Sequence, residues 1–242
     1  MALFEVNGLT KTFGGLAANR DITMHVEAGE ILGLIGPNGA GKTTFFNCVT
    51  GFYPPTAGSI RFQGRDITGW PPERVCQVGI ARTFQIVRVL KDLTVLENVM
   101  IGAFLRHPRV PDARRKALDV LALTGLADRQ DQIARNLTIA GKKRLELARA
   151  LATEPTLLFL DEAMAGLNPS EIHAAVSIVR RLREEGITIV MVEHVMKVVM
   201  PLADRIVVLD SGQIIADDVP EKIAANERVI EAYLGEKYRA AH

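Results

Sequence analysis

The nine residues GPNGAGKTT, Gly36 to Thr44, have the make-up of a phosphate grip. They match G-x-x-x-x-G-K-[ST] and stand between an apolar extended run, EILGLIG at 30–36, and a helical run, TTFFNCVT. In that setting Gly36, Gly39 and Gly41 let successive backbone N–H groups turn inward around phosphate oxygens. Pro37, Asn38 and Ala40 complete the loop, and the N-terminus of the following helix adds favourable partial charge. Lys42 is expected to reach the β and γ phosphates, Thr43 to ligate magnesium, and Thr44 to line the same cradle. A second chemical feature lies much further along, where TLLFLDE at 156–162 ends an apolar run in two acids. Asp161 is expected to hold magnesium through water, and Glu162 to orient or deprotonate an attacking water. A phosphate cradle alone does not separate kinases, GTPases and transport ATPases, so this second site matters.

The elements that must position these residues can be read from periodicity. FEVNGLT, ITMHVEAGE and GSIRFQG alternate as antiparallel strands do when one face is wet. From about Leu93 to Leu151 the texture is helical, in VLENVMIGAFL, ARRKALDVLALTGL and KKRLELARALA, with HPRVPDA read as a loop. TLLFLD, ITIVMVE and RIVVLD then return as continuous apolar strands separated by the helical PSEIHAAVSIVRRLREEG, the pattern of a buried parallel sheet with crossover helices. IVVLDSGQIIADD reads as a hairpin turning at Ser211 and Gly212, with a helix beginning near Pro220. Within LTIAGKKRLELAR, Thr138 is a plausible cap, with Leu145, Leu147 and Ala148 facing a core.

Composition sets limits. A hydrophobic content of 48% over 242 residues is ample for a real core without staples. Lys and Arg number 29 against 28 Asp and Glu, so no bulk attraction to nucleic acid or anionic lipid is expected and any anion site is local. Cys48 and Cys76 are too few for a disulfide framework or a zinc cage, and both are expected to be buried thiols in a reducing compartment. Glu5 follows Met1 closely, with no basic leader and no long apolar core, which predicts no secretory signal and a cytoplasmic chain. ITIVMV and TLLFL fall far short of the ~20 residues that span a bilayer, so membrane contact is expected through a partner. Lys142, Lys143 and Arg144 are read as a solvated helix face.

With these motifs in place, the chain resembles the ABC transporter ATPases over essentially its whole length. LTIAG at 137–141 occupies the place of that family's signature, usually LSGGQ, whose helix N-terminus meets the γ-phosphate of ATP held by a facing subunit. The resemblance thus implies that Thr138, Ala140 and Gly141 contact nucleotide, and that the working form is a homodimer or a paralogous heterodimer. It also implies a P-loop NTPase (RecA-like) α/β core at 1–90 and 152–242 with an N-terminal antiparallel β subdomain, an α-helical subdomain at 91–151, and ATP and Mg2+ as ligands. Gln85 in ARTFQ matches the glutamine that senses magnesium and the membrane partner. His194 in VMVEH matches the switch histidine, a contact to the γ-phosphate grouped with Glu162 and Lys42 as catalytic. Phe13 in TKTFGG matches the aromatic that stacks on adenine. AGLN at 165–168 stands where the family usually has SALD, so Asn168 replaces the customary acid. Ala140 and Gly141 replace the signature's last glycine and its glutamine.

GIARTFQIVRVLKDLTVLENVMIG, DRIVVLDSGQIIADDVPEKI and VIEAYLG resemble the ATP-binding subunits of branched-chain amino-acid importers, whose relatives also serve urea, short amides and aromatic acids. That resemblance implies transmembrane permease subunits as partners, a periplasmic binding protein indirectly, no nucleic acid, and a peripheral place on the cytoplasmic face of the membrane. A soluble ABC ATPase of nucleic-acid maintenance or translation would show a long coiled-coil insertion or tandem cassettes. A small-molecule P-loop kinase would show an arginine-rich lid.

Overall fold

The computed structural model describes residues 2–193 and 196–239. The chain opens with β1 (Phe4–Phe13), β2 (Leu16–Val26), β3 (Ile31–Ile35), α1 (Lys42–Val49), β4 (Ala57–Phe62), β5 (Arg65–Asp66), α2 (Pro72–Gln77) and β6 (Ile80–Arg82). There follow α3 (Val95–Ala103), α4 (Val110–Leu123), α5 (Ile139–Leu151), β7 (Leu157–Asp161) and α6 (Pro169–Glu184). It closes with β8 (Thr188–Val192), α7 (Met196–Leu202), β9 (Arg205–Asp210), β10 (Gln213–Asp218), α8 (Pro220–Ala224) and α9 (Glu227–Arg239). Two compact units result, Met1–Val75 with Thr188–His242, and Cys76–Ile187.

In the first unit β1 pairs antiparallel with β2 and β4, Phe4 lying opposite both Val26 and Phe62. The alternation read from sequence is the cause: Phe4, Val6 and Leu9 are buried while Asn7 is exposed. The other sheet of this unit is built on β3, which pairs parallel with β8 and with β9. Every residue of β3 and β8 is buried, as expected for parallel strands covered on both faces. β10 folds back antiparallel on β9 through the turn at Ser211 (φ 49°) and Gly212 (φ 81°), where the sequence predicts it. Ile35 at the end of β3 shares a core with Val199, Ile206, Val208, Ile223 and Val229, so the C-terminal helices α8 and α9 pack into the same cluster as the strand feeding the glycine loop.

In the second unit β6 and β7 run parallel, Arg82 opposite Phe159. The helices start where side chains can satisfy their first N–H groups. Thr94 caps α3 in a reciprocal box with Glu97, Thr138 caps α5, and Asn168 caps α6 in a box with Glu171. HPRVPDA is a loop only in its first half. α4 begins at Val110 because Pro111 falls in the first turn, where no intrahelical N–H is required and its fixed φ suits a helix. Cys48 is buried and its thiol is pushed up to about 11 by burial; Cys76 is only half-buried, contrary to expectation, and both are unpaired thiols. Among the described residues no helix is long and apolar enough to cross a membrane.

Candidate functional site

The loop Gly36–Gly41 joins β3 to α1. Gly36 has φ 150° and Gly41 φ 101°, and a methyl group on either would meet backbone: Leu209 O at 2.0 Å for Gly36, Ala18 O at 2.4 Å for Gly41. Only glycine closes this loop. Asn38 and Gly39 are exposed at its tip, while Pro37 and Ala40 are buried beneath. The loop is braced from behind: the Asn19 side chain donates to Gly41 O (3.2 Å), and the Gly212 N–H donates to Ala40 O (3.0 Å). Lys42 is 7% exposed, and its ammonium donates to Gly36 O (2.6 Å) and Pro37 O (2.9 Å), which folds the positive charge under the loop's own backbone. Thr43 is exposed and Thr44 half-buried in the first turn of α1. Exposed backbone donors, a helix N-terminus and a lysine together suit a polyphosphate.

Phe13 ends β1 at the surface, 44% exposed and so outside the core. Its ring meets Tyr53 edge to face (5.4 Å between centroids), and the Lys11 ammonium lies 5.0 Å from the Phe13 ring centre. An exposed aromatic face of this kind is suited to stacking on a base.

In the second unit, β7 ends in Asp161 and Glu162. Asp161 is 3% exposed, and one carboxylate oxygen takes a 2.9 Å bond from Arg82, itself buried and with its guanidinium 4.6 Å from the Phe84 ring. Burial lowers the Arg82 pKa from its ordinary value and Asp161 opposes that pull. The Asp161 N–H donates to Thr83 Oγ1 (3.1 Å). Glu162 has φ 49°, a left-handed conformation costing about 1 kcal/mol outside glycine and typical of functional turns. Its Oε2 accepts from Gln85 Nε2 at 2.8 Å, which brings together two residues far apart in sequence. His194 lies outside the described residues.

The helix α5 explains the stretch LTIAGKKRLELAR. The Thr138 hydroxyl accepts the Gly141 N–H (3.1 Å), and Ala140 is an ordinary right-handed helical residue, so its methyl costs nothing there. Lys143 does not belong to a solvated face: it donates to Glu162 O (2.9 Å) and Ala165 O (2.7 Å), tying α5 to the turn beyond β7. Glu146, which sequence reading passed over, is 6% exposed and accepts the backbone N–H of Phe84 (3.2 Å). Burial pushes it up to about 7, against the opposing pull of the Phe84 and Arg88 backbone, Arg149 and Lys143. Arg149 donates to Arg88 O. Asn168, in place of the family's usual acid, is engaged in capping α6, with its Oδ1 also taking the Ser170 hydroxyl (2.7 Å).

A buried parallel strand feeding a glycine loop and helix, together with a parallel strand ending in two acids, defines a P-loop NTPase. Residues 19–165 match the ABC transporter family, and residues 213–239 match the branched-chain amino acid ATP-binding cassette transporter family. The chain belongs to the ABC transporter family, as an ATP-binding cassette, and is an ATPase of a transport system. It is 41% identical over 253 residues to the high-affinity branched-chain amino acid transport ATP-binding protein BraF of Pseudomonas aeruginosa, covering 97% of this chain and 98% of the relative. It is 42% identical over 250 residues to the corresponding protein LivG of Escherichia coli K12, with the same coverage. Among solved structures, a nucleotide-free ATP-binding cassette from an ABC transporter superposes with a TM-score of 0.88 at 31% identity, over 96% of this chain and 99% of that one. The ADP conformation of an ABC transporter cassette gives 0.88 at 31% identity, over 97% and 99%.

Proposed function

We propose that this chain is the ATP-hydrolysing subunit of an importer of branched-chain or related hydrophobic amino acids. It works as one of two ATPase subunits, identical or paralogous, that close face to face around ATP on the cytoplasmic side of the membrane, joined to permease subunits and served indirectly by a periplasmic binding protein. The observation that carries this reading is likeness to BraF and LivG running through 97% of the chain, including the segment 213–239 that matches the branched-chain cassette family. The exposed tip of α5, with Thr138 exposed and Ile139 69% exposed, supports a facing subunit at the signature.

Within the site, the Gly36–Gly41 amides and the N-terminus of α1 bind the triphosphate, and Lys42 exchanges its two loop carbonyls for phosphate oxygens. Phe13 stacks on the adenine. Thr138, Ala140 and Gly141 address the γ-phosphate held by the other subunit. Glu162 takes the proton of the attacking water, held until then by Gln85, and His194 contacts the γ-phosphate. Thr43, Asp161 and Gln85 offer hydroxyl, carboxylate and amide oxygens, the hard donors that suit Mg2+, which neutralises charge on the β and γ phosphates when bound.

The test is reconstitution with the permeases and binding protein in liposomes. ATP-dependent leucine uptake is expected, with turnover lost at least 100-fold in Glu162→Gln while ATP binding persists. Wild-type turnover in Glu162→Gln would remove Glu162 from its role, and uptake of urea or amides in place of leucine would refute the cargo.

A further inference from the structure

α5 is attached to the loops around it through its charged residues. Its tip presents Thr138; Lys143 reaches the carbonyls of Glu162 and Ala165; and Glu146 and Arg149 hold the loop that carries Gln85. Glu146 sits between Leu145 and Leu147, both buried, where an apolar side chain would pack without the cost of desolvating a carboxylate. What it gains there is the backbone N–H of Phe84, the residue just before Gln85. Arg149, three residues along and so on the same helix face, donates to Arg88 O. The segment 84–88 is therefore fastened at both ends to one face of a 13-residue helix, while Gln85 itself is exposed and bonded to Glu162. A carboxyl group suits this position, because its oxygens can accept the Phe84 N–H.

The geometry points to Glu146 as a positioning residue for energy coupling: it locks the Gln85 loop to α5, so that a displacement of the loop displaces the helix whose tip presents Thr138. This rests on the reading of the chain as a transport ATPase whose Gln85 loop receives the motion of the membrane subunits. The charged groups around Glu146 are Lys143 and Arg149 on α5 and Arg82 on β6, all cationic, so none competes for the Phe84 N–H.

Two measurements on Glu146→Gln test this. Hydrogen exchange on the chain alone reads the lock directly: the amide of Phe84 is expected to exchange at least tenfold faster than in the wild type, since the variant can turn an NH2 group toward it. In the reconstituted transporter, leucine taken up per ATP hydrolysed is expected to fall at least fivefold, with the KM for ATP within twofold. Arg149→Gln, which acts on the other end of the loop, is expected to lower the same ratio. A smaller change in exchange or in the ratio overturns the proposal. So does a parallel loss of ATP affinity, turnover and uptake, which marks a merely structural role. A wild-type complex that hydrolyses ATP without uptake refutes the transport reading instead, and the exchange result still stands by itself.

Discussion

The carboxyl of Glu146 makes stability depend on pH in a direction opposite to that of most acids. Burial raises its pKa to about 7 in the folded protein, against about 4.5 for an unhindered glutamate. Between those two values the folded chain holds a proton that the unfolded chain has released, so the free energy of unfolding falls as pH rises through that window and levels off above about 7. Below about 4.5 both forms are protonated and this group contributes no slope. Each tenfold in proton affinity is worth about 1.4 kcal/mol, so the ceiling is roughly 3 kcal/mol between pH 5 and pH 8. Urea unfolding at pH 5 and pH 8, for the wild type and for Glu146→Gln, isolates the effect because every other titrating group is shared. The wild type is expected to lose about 2 kcal/mol more than the variant on going to pH 8. An identical loss in both, or a larger loss in the variant, refutes the buried, N–H-bonded carboxyl as the source.

Three other outcomes follow from the geometry. Arg82→Met takes the guanidinium from the buried Asp161 carboxylate and should cost about 3–5 kcal/mol in chemical unfolding, with Arg82→Met/Asp161→Asn costing clearly less than the sum of the single changes. Gly41→Ala forces a methyl to 2.4 Å from Ala18 O at a φ of 101°; a stability loss of at least ~2 kcal/mol and a fall in ATP affinity of more than tenfold are expected from unfolding and fluorescent-nucleotide titration. Ala140→Gly, which restores the family's commoner residue, should lower stability by about 1 kcal/mol, because position 140 is right-handed helix, while ATP turnover of the assembled complex is retained.

What the sequence revealed was local. The glycine loop, the strand ending in Asp161 and Glu162, the Thr138 cap and the turn at Ser211 and Gly212 each depend on residues a few positions apart, so their physics is written in adjacent letters. The buried ion pair of Arg82 with Asp161 and the tie of Glu146 to Phe84 join residues separated by 79 and 62 positions. Nothing beside Arg82 or Glu146 in the sequence marks either as more than a solvated charge. Lys143 was misjudged for the same reason, since a run of three cations looks solvated until the fold supplies two carbonyls for one of them. The start of α4 shows a different limit, a proline that breaks a helix interior yet suits its first turn.

The hairpin at Gly212 carries a practical lesson for anyone recombining such cassettes. Its N–H reaches Ala40, its carbonyl takes the N–H of Arg20 (2.8 Å), and the stretch matched to the branched-chain subfamily starts at the very next residue. A graft that exchanged tails with the seam at 212/213 would part a turn whose other half is already bonded to the nucleotide loop. Moving the junction upstream of β9 would carry strand, turn and tail across as one piece, and the recipient's phosphate grip would then sit against a backing made for that tail.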